Sequence, residues 1–93
     1  MKNLLSKAEI KASLAQTPGW QLRGKTITRL YTLPDFVNAL AFVNYVGYLA
    51  EKADHHPDID IRYKRVTLTL STHSDGGLTL KDFALAQQID RPS

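Results

Sequence analysis

The period of the apolar positions changes several times along this chain, and each change marks an element. Ile10 and Leu14, with Ala8, line one face of a short helix. Ser6-Lys7-Ala8-Glu9 reads as its capping box, and Thr17-Pro18-Gly19 breaks it. Trp20-Gln21-Leu22 alternates as a strand, Gly24-Lys25 offers a hairpin turn, and 26–32 is β-rich. Leu33-Pro34-Asp35 opens a long helix, with Pro34 expected in its first turn. Over 36–53, Phe36, Leu40, Val43, Val46, Leu49, Ala50 and Ala53 recur at spacings that build one apolar face. Phe42 and Tyr45 fall off that stripe and are expected to face a partner subunit. The helix has to end by His56, because a residue before proline is pushed out of the α region.

Beyond Pro57, Ile59, Ile61 and Tyr63 alternate with polar residues as a half-buried strand, and Lys64-Arg65 is the expected connection. Val66, Leu68 and Leu70 alternate with Thr67, Thr69 and Ser71 as a second strand, which ends at His73 and the turn 74–77. Thr79-Leu80-Lys81-Asp82 reads as another capping box, opening a helix with Phe83, Leu85, Ala86 and Ile89 apolar. The order is αββαββα. Two hairpins broken by helices predict an α+β fold: a four-stranded antiparallel sheet with helices on one face.

Composition narrows the picture. Ninety-three residues make one domain, 1–93, with a modest core that oligomerisation often completes. There is no cysteine, which excludes disulfides, thiolate chemistry and cysteine-ligated zinc. The first eleven residues are too polar for a signal peptide, and no run approaches the ~20 apolar residues of a membrane span. The expectation is a cytoplasmic protein. Residues 1–34 hold six Lys/Arg against one acid, and 35–93 hold six against eight. No basic cluster is interleaved with aromatics, so the charge reads as solvated surface and no direct nucleic-acid partner is expected.

The candidate chemistry lies in Glu51-Lys52-Ala53-Asp54-His55-His56-Pro57, with His73 and Asp82 further on. Glu51 and His55 are four apart and share a helix face. Asp54 is placed to accept from an imidazole N–H, and a carboxylate fixes a histidine's tautomer. Three readings stand beside one another. Imidazoles titrate near neutral pH and can act as general acid and base. Three histidines can bind zinc, although adjacent histidines seldom bind one metal from a helix. Or His-His-Pro is a solvated helix exit with a stray His73. Taken singly, Tyr63 reads as a packed strand residue, Asp82 as a helix cap and Trp20 as core.

The pattern of Glu51, His55-His56-Pro57, Tyr63, His73 and Asp82 resembles the pterin-4a-carbinolamine dehydratases, also called 4a-hydroxytetrahydrobiopterin dehydratases. Gly19-Trp20, Phe36, Asp54, the run Leu68-Thr69-Leu70-Ser71-Thr72-His73, Gly77-Leu78 and Leu85-Ala86 agree with it. The resemblance covers about 20–89.

The resemblance implies the αββαββα domain and a homodimer or homotetramer. It implies dehydration of a 4a-hydroxytetrahydropterin to the quinonoid dihydropterin, recycling the cofactor of aromatic amino-acid hydroxylases, with no metal and no bound cofactor. By carry-over, His55 and His73 transfer protons and His56 orients the pterin. Glu51 and Asp54 tune the imidazoles, and Trp20 walls the pocket. Lys81-Asp82 stands where many relatives carry Arg-Asp, and lysine lacks the planar fork that binds bidentately. Residues 58–62 lack aromatics common in relatives. The alternative implied role is non-catalytic: a binding protein of the transcription-factor dimerisation coactivator kind, docking through the long helix. The protein partner would then be a transcription factor rather than the hydroxylase pathway.

Overall fold

The computed structural model describes residues 3–91, so Met1 and Lys2, part of the stretch read above for a signal peptide, lie outside the described residues. The elements are α1 (Lys7–Ala15), β1 (Gln21–Arg23), β2 (Thr26–Thr32), α2 (Phe36–Ala53), β3 (Asp58–Arg62), β4 (Arg65–Leu70), a 3₁₀ turn (His73–Asp75) and α3 (Leu80–Asp90). The strands form one antiparallel sheet in the order β1-β2-β4-β3, and this is the α+β fold the sequence predicts. The β2–β4 pairing, from Ile27↔Leu70 to Thr32↔Arg65, zips the two hairpins together.

Alternation decides the sheet's two faces. Ile27, Val66, Leu68 and Leu70 point inward and are completely buried. Thr28, Thr67 and Thr69 point the other way, and the Thr28 and Thr69 hydroxyls meet across the strands at 3.3 Å. Ala39, Val46 and Ala50 from α2 and Phe83, Leu85, Ala86 and Ile89 from α3 close the core on the inner face. Fully burying each large apolar side chain contributes roughly 1.5–3 kcal/mol. Helix α1 buries no residue completely and adds only Ile10 and Leu14 to the core's edge.

Three local expectations change. Pro34 lies outside α2. Asp35 is the N-cap, and its carboxylate accepts the Asn38 N–H at 2.8 Å. A side-chain acceptor satisfies an orphan amide, which proline cannot do. The buried stripe of α2 is also rotated. It runs through Ala39, Phe42, Val43, Val46, Leu49 and Ala50, while Phe36 and Leu40 are 44% and 43% exposed. Small Ala39 and Ala50 let the helix approach the sheet, and half-buried Phe42 meets the Tyr31 ring at 4.6 Å, while Tyr45 stays exposed. Finally, Tyr63 is not a strand residue. Arg62 pairs with Arg65, so Tyr63-Lys64 is the two-residue loop, and Tyr63 takes φ 54. Two-residue hairpin loops favour positive φ because it matches the strand twist. The Tyr63 ring then stacks on Phe36 at 6.5 Å.

Two outcomes are expected. Leu68→Ala, which empties the centre of the inner face, should destabilise the protein by about 2–5 kcal/mol in urea titration. The Asn38 N–H holds the Asp35 carboxyl below its ordinary value. Its contribution is therefore present above the unfolded-state value and is lost as pH falls through the folded one. The stability gap between wild type and Asp35→Ala should be full at neutral pH and should close in acid.

Candidate functional site

Asp82 lies three residues into the capping box of α3 and has no solvent exposure. Its Oδ2 accepts the Thr79 N–H at 2.9 Å, which satisfies the helix end, and the Thr72 hydroxyl at 2.9 Å. Its Oδ1 lies 2.6 Å from Nε2 of His55. The carboxylate therefore ties together the end of α2, the segment after β4 and the start of α3.

His55 reaches Asp82 because of how α2 ends. Asp54 adopts the left-handed conformation, φ 50 and ψ 44. The Asp54 N–H then donates to the Glu51 carbonyl at 3.2 Å, and the His55 N–H to the Ala50 carbonyl at 3.1 Å. This Schellman closure folds the chain back across the helix end. The His55 side chain turns inward and is 9% exposed overall. Its Nδ1 has no hydrogen-bond partner among the described residues, yet no fully buried side-chain nitrogen or oxygen there lacks a partner. Nδ1 therefore opens to solvent while Nε2 faces the carboxylate.

The same reversal changes the histidine pairing. Glu51 bonds Nε2 of His56, not His55, and both members of that pair are exposed. Asp54 caps the helix with its backbone, and its carboxylate meets neither imidazole among the described residues. His73 stands exposed in the 3₁₀ turn, next to Thr72, and its side chain has no hydrogen-bond partner among the described residues. The Thr72 hydroxyl and the His55 imidazole thus share the Asp82 carboxylate, and His73 is the residue that follows Thr72. The Lys81 side chain is exposed and lines, with Thr79, Leu80, Glu9 and Asp75, a cavity of about 390 Å³.

Trp20 lies elsewhere in the chain. Its indole N–H donates to Asp90 Oδ2 at 2.8 Å, which also receives Arg29 at 3.0 Å, and the Tyr31 hydroxyl bonds Oδ1. Burial, then the Asp90 hydrogen bond, pushes the Tyr31 phenol well above its ordinary value. Asp82 and Asp90 are eight residues apart, about 12 Å along a helix. Within one chain Trp20 therefore packs at the far end of α3 from His55.

Thr72 and Thr79 are the site's unforeseen members. The capping-box spacing flagged Thr79 as a cap only, and Thr72 entered only as part of the run from Leu68 to His73 that agrees with the resemblance. Nothing in the spacing of 72 and 82 says that their side chains meet. Chemically, the arrangement offers a carboxylate-anchored imidazole with one nitrogen open to a ligand, a second paired imidazole in His56, and a third unpaired one on the neighbouring turn. A carboxylate on one ring nitrogen sets the tautomer and orientation of a proton-transferring histidine.

Comparison with known proteins agrees with these features. A family model described as Pterin 4 alpha carbinolamine dehydratase matches residues 3–92. The chain belongs to the pterin-4-alpha-carbinolamine dehydratase family. It is 59% identical over 86 residues, covering 92% of each chain, to a Chloroflexus aurantiacus protein named "Putative pterin-4-alpha-carbinolamine dehydratase". A protein of the same name from Roseiflexus castenholzii is 56% identical over 90 residues, covering 97% of each chain. Among solved structures, a transcriptional coactivator/pterin dehydratase from Brucella melitensis superposes with a TM-score of 0.90 at 38% identity, covering 95% of this chain and 96% of that one. A pterin dehydratase-like protein identified as a RuBisCO assembly factor in the alpha-carboxysome gives a TM-score of 0.62 at 21% identity, covering 76% and 82% of the two chains. That likeness is one of fold alone.

Removing the Asp82 carboxylate takes away the partner of His55 Nε2, of the Thr72 hydroxyl proton and of the Thr79 amide in a buried site. Asp82→Ala is expected to cost about 3–5 kcal/mol, the usual penalty for breaking a buried pair. Urea unfolding followed by the fluorescence of Trp20, the sole tryptophan, reads it.

Proposed function

We propose that this protein dehydrates a 4a-hydroxytetrahydropterin to the quinonoid dihydropterin. Family membership supports the substrate class. The observation that carries the chemistry is the buried His55–Asp82 pair, with Nδ1 of His55 open to solvent.

Hydroxide is a poor leaving group, so the C4a oxygen must gain a proton as the C4a–O bond breaks. The N5 lone pair then forms the C4a=N5 bond, and the N5 proton passes to a base. Water and the quinonoid product result, and no electron is gained or lost. The reaction needs one acid and one base, and a positioned pair contributes roughly 10²–10⁴-fold for each group. In this reading His55 and His73 are the two proton-transferring groups. His56, held by Glu51, orients the ring, and Lys81 and Asp54 lie at the rim. Trp20 would wall the pocket only if a second subunit brings it there. The chemistry itself calls for no metal or cofactor. The same reading makes the protein a cytoplasmic homo-oligomer, supported by exposed Val37, Leu40 and Tyr48 along α2.

The test is the absorbance change of freshly generated 4a-hydroxytetrahydropterin. Wild type should dehydrate it well above the buffer rate, with or without chelator. His55→Ala and His73→Ala should each lose about 10²–10⁴-fold. A wild-type rate equal to the buffer's would sink the enzymatic reading and leave a binding role for the fold.

A further inference from the structure

The hydroxyl groups around Asp82 admit one proton arrangement that leaves no buried donor idle. Oγ1 of Thr79 accepts the Lys81 N–H at 3.2 Å, so the hydroxyl proton of Thr79 must point elsewhere. Its other partner is Oγ1 of Thr72 at 2.8 Å. Thr72 therefore accepts from Thr79 and sends its own proton to Oδ2 of Asp82 at 2.9 Å. Reversing the Thr72 hydroxyl would strand the Thr79 proton on a residue only 2% exposed. A stranded buried donor loses its bond to water without gaining another, whereas the first arrangement leaves none stranded. With the Thr79 N–H on the same oxygen, Oδ2 accepts twice, the pattern of an ionised carboxylate held by donors. The contact at Oδ1 then requires the proton to sit on Nε2 of His55, because an ionised carboxylate has none to give.

Thr72 also anchors the next turn through its backbone. Its N–H donates to the Gly77 carbonyl at 2.9 Å, and its carbonyl accepts from the Asp75 and Gly76 N–H groups at 3.0 Å each. His73 rides on that turn. One residue therefore holds the carboxylate that orients His55 and the loop that carries His73.

We infer that Thr72 is a positioning residue for proton transfer: its hydroxyl holds Asp82 so that His55 is the Nε2–H tautomer with Nδ1 as the reacting atom. The kinetic part rests on the dehydratase reading, while the tautomer stands without it. Thr72→Val keeps the shape and removes the donor. It is expected to lower kcat by about 10–100-fold, the range for residues that orient a reacting group through an intermediary. KM should stay within about threefold, because the hydroxyl is committed to Asp82 rather than to substrate. Thr72→Ser should restore most of the loss. In a His55→Ala background Thr72→Val should add nothing, since neighbours acting through one group are not additive.

The first measurement is a long-range ¹H–¹⁵N correlation spectrum of the wild-type imidazoles, with His55 assigned by its loss in His55→Ala. The expected result is a proton on Nε2 of neutral His55, and a proton on Nδ1 would overturn the inference. Equal losses for Thr72→Val and Thr72→Ser would also overturn it, as would a Thr72→Val effect that persists without His55. If Thr72→Val fails to fold, Thr72→Cys, similar in size and a poor donor, takes its place. An inactive wild type with the Nε2–H tautomer would overturn the dehydratase reading and support the tautomer. An active wild type with the Nδ1–H tautomer would do the reverse.

Discussion

The structure depends on satisfying one buried carboxylate. Taking Asp82 out of water would be prohibitive alone, and several kcal/mol per ion remain even in a relaxed site. Three donors offset that cost: an imidazole nitrogen, a hydroxyl and a backbone amide. Each comes from a different stretch of chain, so the start of α3 is stable only when α2 has ended and β4 has been paired in register. A half-satisfied network would be worse than an apolar one, which makes this polar centre a demanding constraint on the fold.

A second carboxylate fixes the other end of the same helix. Asp90 collects the Trp20 indole, the Arg29 guanidinium and the Tyr31 hydroxyl from β2 and the segment before β1. Helix α3 is thus pinned at its N-terminus to the site and at its C-terminus to the sheet. Arg29 needs room for this. It crosses Gly19, where a Cβ would lie 2.6 Å from the guanidinium carbon, and Gly19 has φ +93. The Gly-Trp pair therefore serves the far anchor. Apolar burial between the two anchors supplies the bulk of the stabilisation, and the anchors fix where the helix lies.

Much of this is legible in the residues. Ser6 with Glu9 and Thr79 with Asp82 are both capping boxes in the structure. The alternation of Val66, Leu68 and Leu70 is the inner face of β4, and α2 ends before His56, as Pro57 demands, through the left-handed turn at Asp54. The rotated stripe of α2 was hidden because the helix carries apolar residues on two sides: Phe36 and Leu40 are as hydrophobic as Val43 and Leu49. Only docking on the sheet selects one set. Tyr63 looked like a strand residue because alternation continues through it, whereas the loop position was set by the pairing of Arg62 with Arg65.

The histidines show the same division. The sequence by itself determined that two adjacent imidazoles stand at a helix exit, that a third follows the last strand, and that a carboxylate opens the next helix. Those facts follow from local rules of period, capping and proline geometry, which act within a few residues. Only the tertiary structure decided the partners: His55 with Asp82, 27 residues away, and His56 with Glu51. The reason is the left-handed turn at Asp54 together with the packing of α3 against α2. A four-residue spacing places Glu51 and His55 on one face only while the helix continues, and the helix ends before His55 is reached.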